Sequence, residues 1–112
     1  MSISSFFRAI RDRIILPTPR IAPGEDVLFL DVRSGPEFAA GHARGARHIP
    51  VQQVRDRAAE LEPHRDRRIL VYCMTGHRAE TAVRALRDRG FTRVENGGGI
   101  GGLRRQGVEI QR

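Results

Sequence analysis

An α/β fold with a mainly parallel central sheet flanked by helices is what this sequence predicts, and three observations carry the prediction. Residues 27–30 (Val-Leu-Phe-Leu) and 69–72 (Ile-Leu-Val-Tyr) are unbroken apolar runs, the pattern of strands buried on both faces. Stretches with apolar residues at helical spacing follow them, at 51–61 and 79–89. Gly and Pro punctuate the junctions, so strands and helices alternate, as they do around a parallel sheet.

In chain order, residues 2–15 read as a short amphipathic helix. Ser4 or Ser5 serves as its cap, and Phe7, Ile10 and Ile14 share one face. Docking onto the domain is the plainer reading of that face, and a basic membrane-surface helix the other. Pro17, Pro19 and Pro23-Gly24 mark a linker, which sets the expected organisation as an N-terminal segment over 1–24 and a folded domain over 25–112. The strand at 27–30 runs into Asp31-Val32-Arg33. Gly35-Pro36 starts a short helix to residue 40, and Gly41 closes it. A short strand over 46–49 stops at Pro50. The helix over 51–61 carries Val51, Val54, Ala58 and Leu61 on one side, and Pro63 ends it. After the second buried strand, the helix over 79–89 turns Ala82, Val83, Ala85 and Leu86 inward and ends at Gly90. A strand over 92–95, a turn at Asn96-Gly97-Gly98-Gly99 and a last helix near 100–106 complete the chain.

The 112 residues suit one domain, large enough to bury a core without disulfides. Hydrophobic residues at 39% and charged residues at 29% give a globular balance, not a disordered one. With only 5% aromatics and no Trp, the core has to be built from Val, Ile, Leu and Ala. The net charge is +7, and all 20 basic residues are Arg. They alternate with Asp and Glu, as in Arg55-Asp56-Arg57 and Arg87-Asp88-Arg89, which is the look of solvated helix faces. A nucleic-acid surface calls for a one-sided stripe or stacking aromatics, and the sequence has neither. No apolar run approaches the ~18 residues of a membrane span. Arg8, Arg11 and Arg13 interrupt the N-terminal apolar residues and make a poor signal peptide. A cytoplasmic location, where a free thiol persists, is the expectation.

A single cysteine, Cys73, excludes an internal disulfide and a Cys-rich zinc site. Counting alone leaves a buried inert thiol and a reactive one equally open. Its surroundings argue for reactivity. Cys73 begins the loop Cys73-Met74-Thr75-Gly76-His77-Arg78 between a buried strand and a helix. In open parallel sheets, ligands bind beyond the carboxyl ends of the strands. The loop N–H groups ahead of the helix are expected to converge on the sulfur as an anion-favouring nest, at the mouth of a small pocket. Gly76 allows the tight curve. Arg78 supplies a permanent charge for an anionic substrate.

With these residues in view, the chain resembles the rhodanese-like sulfurtransferases over about residues 27–107. Four motifs carry the likeness in order. They are Asp31-Val32-Arg33 with Glu37-Phe38, then Gly41-His42 with Gly45-Ala46 and His48-Ile49-Pro50, then Val71-Tyr72-Cys73 with Gly76, Arg78 and Ala79, and finally Gly90-Phe91 to Val94 with Gly98-Gly99-Ile100. The short form is similar to single-domain thiosulfate sulfurtransferases of the phage-shock type. The chain departs from the family at Leu103, where many members have Trp, and at Ala43-Arg44, in place of an apolar-Pro pair.

The resemblance implies a single rhodanese-like domain. It implies that Cys73 takes the outer sulfur of a small anionic donor such as thiosulfate, holds it as a persulfide within loop residues Met74, Thr75, Gly76, His77 and Arg78, and passes it to cyanide or a thiol. No metal or organic cofactor enters that scheme. Asp31 and Arg33 are expected to support the neighbouring loops through hydrogen bonds. His42 is expected to be a structural hydrogen-bonding residue, His48 a strand-end residue and His64 a turn residue. The side chain of His77 is expected to face solvent, with contact to substrate as the alternative. A sulfur-relay module fed by a partner protein is the alternative. Arsenate reduction or phosphate-ester hydrolysis is disfavoured, because the six-residue loop is one residue shorter than the loops that wrap a tetrahedral oxyanion.

Overall fold

The computed structural model describes residues 13–112 together with Ile3, Ser5 and Ile10. Ile3, Ser5, Ile10 and Arg13 are helical. Ile3, Ile10 and Ile14 are exposed and not docked into the core. Phe7, expected on the same face, lies outside the described residues.

Four strands form a fully parallel sheet in the order β3-β1-β4-β5: β1 Val27–Asp31, β3 Arg47–His48, β4 Arg68–Cys73 and β5 Val94–Gly99. Each crossover carries helical structure, as parallel neighbours require. The crossovers hold α1 Gly35–Ala40, α2 Val54–Arg57 and α3 His77–Asp88, and α4 Ile100–Arg105 follows β5. A separate antiparallel pair joins β2 His42–Ala43 to β6 Ile110–Gln111. The fold is thus a single α/β domain around a parallel sheet.

The period-two alternation of β1 and β4 divides the core in two. Leu28, Leu30, Ile69, Val71 and Cys73 face one side, where Ala79, Ala82, Val83 and Leu86 of α3 meet Val54 and Leu61. Phe29 and Tyr72 face the other side, packing with Ala43, Ile21 and Leu103. Cys73 therefore sits two residues beyond Val71, on the larger core face, where the sheet ends and α3 begins.

The Ser34 hydroxyl caps α1, and Glu37 returns the bond to the Ser34 N–H, so both sides of a capping box are present. Two expectations need correction. The segment after Pro50 is not one helix ended by Pro63. It is a 3-10 turn at Val51–Gln53, then α2, then a 3-10 run at Ala58–His64 with Pro63 inside it. The fixed φ of proline suits 3-10 dihedrals, and so short a run loses little by lacking one donor. Residues 96–99 are not a turn either. They extend β5, and a bulge opposite Val71 and Tyr72 absorbs Gly97. Among the described residues, no helix is long and apolar enough to cross a membrane.

Candidate active site

The carboxyl ends of β1, β4 and β5 bring the expected site residues together. Cys73 is fully buried, and the Gly76 N–H lies 3.0 Å from its Sγ. Gly76 has φ +97°, a left-handed conformation that aims this N–H back at the sulfur and starts α3. Among the described residues, it is the one backbone N–H of the loop bonded to Sγ in this resting thiol. The sulfur is covered and does not stand at the mouth of an open pocket. A cavity of about 400 Å³ opens beside the loop, and Met74 and Glu37 are part of its wall.

Arg78 reaches across to α1. Its guanidinium makes two bonds to the Glu37 carboxylate, at 2.7 and 3.0 Å. These bonds are the main reason the Glu37 carboxyl falls to about 2, with the Ser34 N–H and hydroxyl adding to the effect against a partial burial penalty. The Arg78 guanidinium is raised, first by the Glu37 bond and to a lesser degree by Cys73. Arg78 thus clamps the loop to α1 while keeping its charge near the sulfur.

Asp31 and Arg33 lie one layer further in. Both are buried, and the Asp31 carboxylate accepts bonds from Nε and a terminal nitrogen of Arg33 at 2.7–3.1 Å. The same Arg33 also donates to the Gly41 carbonyl at 2.6 Å, tying β1 to the end of α1. Removing one partner from a buried pair of this kind costs about 3–5 kcal/mol, because the other charge is left uncompensated. The neighbouring Tyr72 hydroxyl accepts the Ala43 N–H, and burial is the main force raising its phenol, so it stays neutral.

Three of the four histidines take backbone partners. His42 donates from Nδ1 to the Phe38 carbonyl at 2.8 Å, and His48 from Nε2 to the Arg33 carbonyl at 2.7 Å. Phe38 stacks on both rings, with centroids 3.7 and 4.5 Å away. His64 accepts from Arg67 in its turn. His77 donates from Nε2 to the Ile14 carbonyl at 2.8 Å, so its ring holds the segment ahead of β1 instead of simply facing solvent.

Sequence reasoning missed two features. Asn96 is a hub. Its amide nitrogen donates to the Gly76 carbonyl at 2.9 Å and to Glu80 at 3.0 Å, and its oxygen accepts the Gly98 N–H at 2.8 Å. One side chain therefore fixes the loop, α3 and the β5 bulge. The signal was an Asn before a glycine run, which reads equally well as a turn. The second feature is an extended strap over residues 14–19. The Leu16 N–H donates to the Thr75 carbonyl at 2.7 Å, and Gln106 holds the Thr18 and Pro19 carbonyls. No local periodicity announces that contact.

Several known proteins are similar to this chain in sequence and fold. The profile of the rhodanese-like domain family matches residues 20–100. The chain is 35% identical over 72 residues to the thiosulfate sulfurtransferase PspE of Escherichia coli (strain K12), covering 64% of this chain and 69% of that protein. It is 36% identical over 92 residues to a sulfurtransferase of Allochromatium vinosum, covering 81% of this chain and 84% of that one. Among solved structures, a rhodanese with anions from E. coli superposes with a TM-score of 0.69 at 29% identity, over 77% of this chain and 98% of that chain. The motif order, the parallel sheet and these matches agree: the chain belongs to the rhodanese-like domain family, whose relatives include sulfurtransferases.

Proposed function

We propose that this protein is a thiosulfate sulfurtransferase that carries sulfane sulfur as a persulfide on Cys73. One observation supports the reading above the others: the Gly76 N–H on Cys73 Sγ, inside a loop held by Arg78–Glu37 on one side and Asn96 on the other. A donor hydrogen bond of that kind is placed to stabilise negative charge on the sulfur during group transfer.

In the first step the Cys73 thiolate attacks the outer sulfur of thiosulfate. A carbon-bound S–S bond forms, the S–S bond of thiosulfate breaks, and sulfite leaves with its electron pair. In the second step cyanide or an acceptor thiolate attacks the outer persulfide sulfur. The Cys73 thiolate departs, and thiocyanate or an acceptor persulfide is released. Charge balances in both steps, so no redox partner is required. Met74, Thr75, Gly76, His77 and Arg78 form the cradle. Arg78 is a positioning residue through Glu37 and a source of positive potential near the sulfur. Asp31 and Arg33 support the cradle from beneath. On this reading the chain acts in the cytoplasm, where a free thiol persists.

The full burial of Cys73 favours one variant of this reading. A covered sulfur beside exposed Ile14, Ile15 and Met74 suits delivery by a docking partner, which is a sulfur-relay role. Oxyanion chemistry on arsenate or a phosphate ester is less well supported, since the Arg78 fork is already occupied by Glu37.

The test is thiocyanate formation from thiosulfate and cyanide by the wild type and by Cys73→Ser. The wild type turns over, and the variant folds but forms none, because a serine hydroxyl cannot hold a persulfide. Undiminished activity in Cys73→Ser rejects the proposal. A wild type that accepts sulfur only from a protein persulfide selects the relay variant.

A further inference from the structure

Among the described residues, the large hydrophobic side chains left exposed are Ile3, Ile10, Ile14, Ile15 and Met74. Four of them precede β1, and the fifth belongs to the Cys73 loop. The boundary is sharp. From Leu16 onward the chain is held: the Leu16 N–H donates to the Thr75 carbonyl, and its side chain closes on Gly76. Every apolar residue described before Leu16 is exposed. Two contacts tie this segment to the loop. His77 Nε2 donates to the Ile14 carbonyl at 2.8 Å, and Ile15 and the Met74 carbonyl both close on Gly99. The exposed apolar residues thus lead from Ile3 to the lip of the Cys73 loop.

Their spacing is specific. On a helix, positions 3, 6, 7, 10 and 14 fall within an arc of about 100°, and all five are Ile or Phe. Ile3 and Ile10 are helical, while Phe6 and Phe7 lie outside the described residues. By the same count Arg11 and Arg13 border the arc on opposite sides, and Ile15 lies off it, with Met74 at the lip of the loop. Over residues 1–24, Arg8, Arg11, Arg13 and Arg20 stand against a single acid, Asp12. An apolar stripe edged by arginines on both sides is the pattern of a helix lying in a bilayer interface. The stripe enters the acyl boundary while the guanidinium groups reach out to phosphates.

We propose that residues 2–15 bind the surface of an anionic bilayer through Ile3, Phe6, Phe7, Ile10 and Ile14, and that this seats the Cys73 loop at the membrane. The charge decides between a lipid surface and a protein groove. A groove reads the apolar anchors of a helix along one line, and arginines on both flanks add little there. A plane of phosphates engages both flanks at once. The segment ends where the bonds to His77 and Thr75 begin, so a membrane that holds it lies close to the loop. Binding of this kind is independent of what Cys73 carries.

The experiment is flotation of the full chain with vesicles of phosphatidylcholine alone and of an equimolar mixture with phosphatidylglycerol. The proteins are the wild type, Ile10→Ser/Ile14→Ser and Arg11→Gln/Arg13→Gln. The chain has no Trp, so Phe7→Trp adds a single fluorescent reporter. The wild type should float with the mixed vesicles and bind phosphatidylcholine about tenfold or more weakly. Each double variant should lose about tenfold or more of the binding to mixed vesicles. The Phe7→Trp emission should shift to the blue on the mixed vesicles only. Absence of flotation, equal binding to both vesicles, or binding unchanged in either variant overturns the inference. Ile10 and Ile14 are exposed, so the urea midpoint of their variant should match the wild type. A lower midpoint shows that this face packs on the domain, and it overturns the inference too. A chain that ignores vesicles but self-associates through Ile10 and Ile14, seen by sedimentation velocity, overturns it and assigns the face to a second copy.

Discussion

The Cys73 loop and the strap over residues 14–19 touch each other, yet they are specified in opposite ways. The loop explains itself residue by residue: a strand end, a thiol, a glycine with φ +97°, and an arginine that finds Glu37. The strap carries two prolines and no periodic pattern, and it reads as linker. Its order is written elsewhere, in glycines that leave space for it. A Cβ at Gly76 would stand 2.8 Å from Leu16 Cβ. One at Gly98 would stand 2.6 Å from the Leu16 oxygen and 2.8 Å from the Pro17 oxygen, and one at Gly102 would collide with Thr18 Oγ1. A functional loop is thus encoded by the side chains it has, and its cover by the side chains its neighbours lack.

That contrast can be broken at two adjacent glycines. A methyl group at Gly99 meets the Met74 carbonyl, the backbone of the loop itself. The three atoms nearest a methyl group at Gly98 all belong to the strap, at a φ of +76°. Gly99→Ala is expected to lose about 1–3 kcal/mol of stability in urea titrations, through overpacking, and to lose most thiocyanate formation because the loop must shift. Gly98→Ala is expected to lose a similar amount through backbone strain. It should keep far more turnover and alkylate faster with iodoacetamide as the strap lifts. Equal losses of turnover in the two variants would mean that strap and loop form one unit.

A second test isolates the clamp. The Glu37 carboxyl titrates at about 2 in the folded protein against a reference of 4.5. The depressed value means that its contribution is present above the unfolded value and disappears as pH falls through the folded one. Wild-type stability should therefore drop between about pH 4.5 and 2 by more than that of Glu37→Gln, in which this proton uptake is absent. Parallel acid profiles for the two proteins would show that the Arg78–Glu37 bonds contribute no net stability. The loop's hold on α1 would then be geometric only.

The same contrast explains what was legible. The parallel sheet follows from two apolar runs and the helices after them, and both strands and α3 lie where the spacing puts them. Cys73, Gly76 and Arg78 stand out because each residue type has a chemical reason to occupy its position. Three things were not legible. The β2–β6 pair is two residues long on each side, too short to show an alternation. The run 96–99 has turn composition, yet pairs with β4 because Val71 and Tyr72 supply a ladder and the bulge absorbs the extra residue. Two of the three partners of Asn96, Gly76 and Glu80, are distant in sequence, and its bond to the Gly98 N–H reads as an ordinary turn, so nothing local marks it as a hub.

The smallest effect sharpens the picture of the strap. Thr18 Oγ1 is buried with no hydrogen-bond partner among the described residues. Thr18→Val keeps the shape and removes that hydroxyl. It should be neutral or stabilising by up to about 1 kcal/mol, read as a shift in the urea midpoint. A clear loss of stability would reveal a partner for the hydroxyl and a strap held by more than backbone contacts and packing.

The central claim is a persulfide on Cys73, and the direct measurement uses thiosulfate labelled with ³⁵S in its outer sulfur. After incubation and rapid desalting, the label should remain on the protein. It should map to the peptide containing Cys73, with one sulfite released per sulfur bound, and added cyanide should remove it as labelled thiocyanate. Label that stays on Cys73→Ser, or a wild type that takes up none while sulfite still accumulates, would contradict the account.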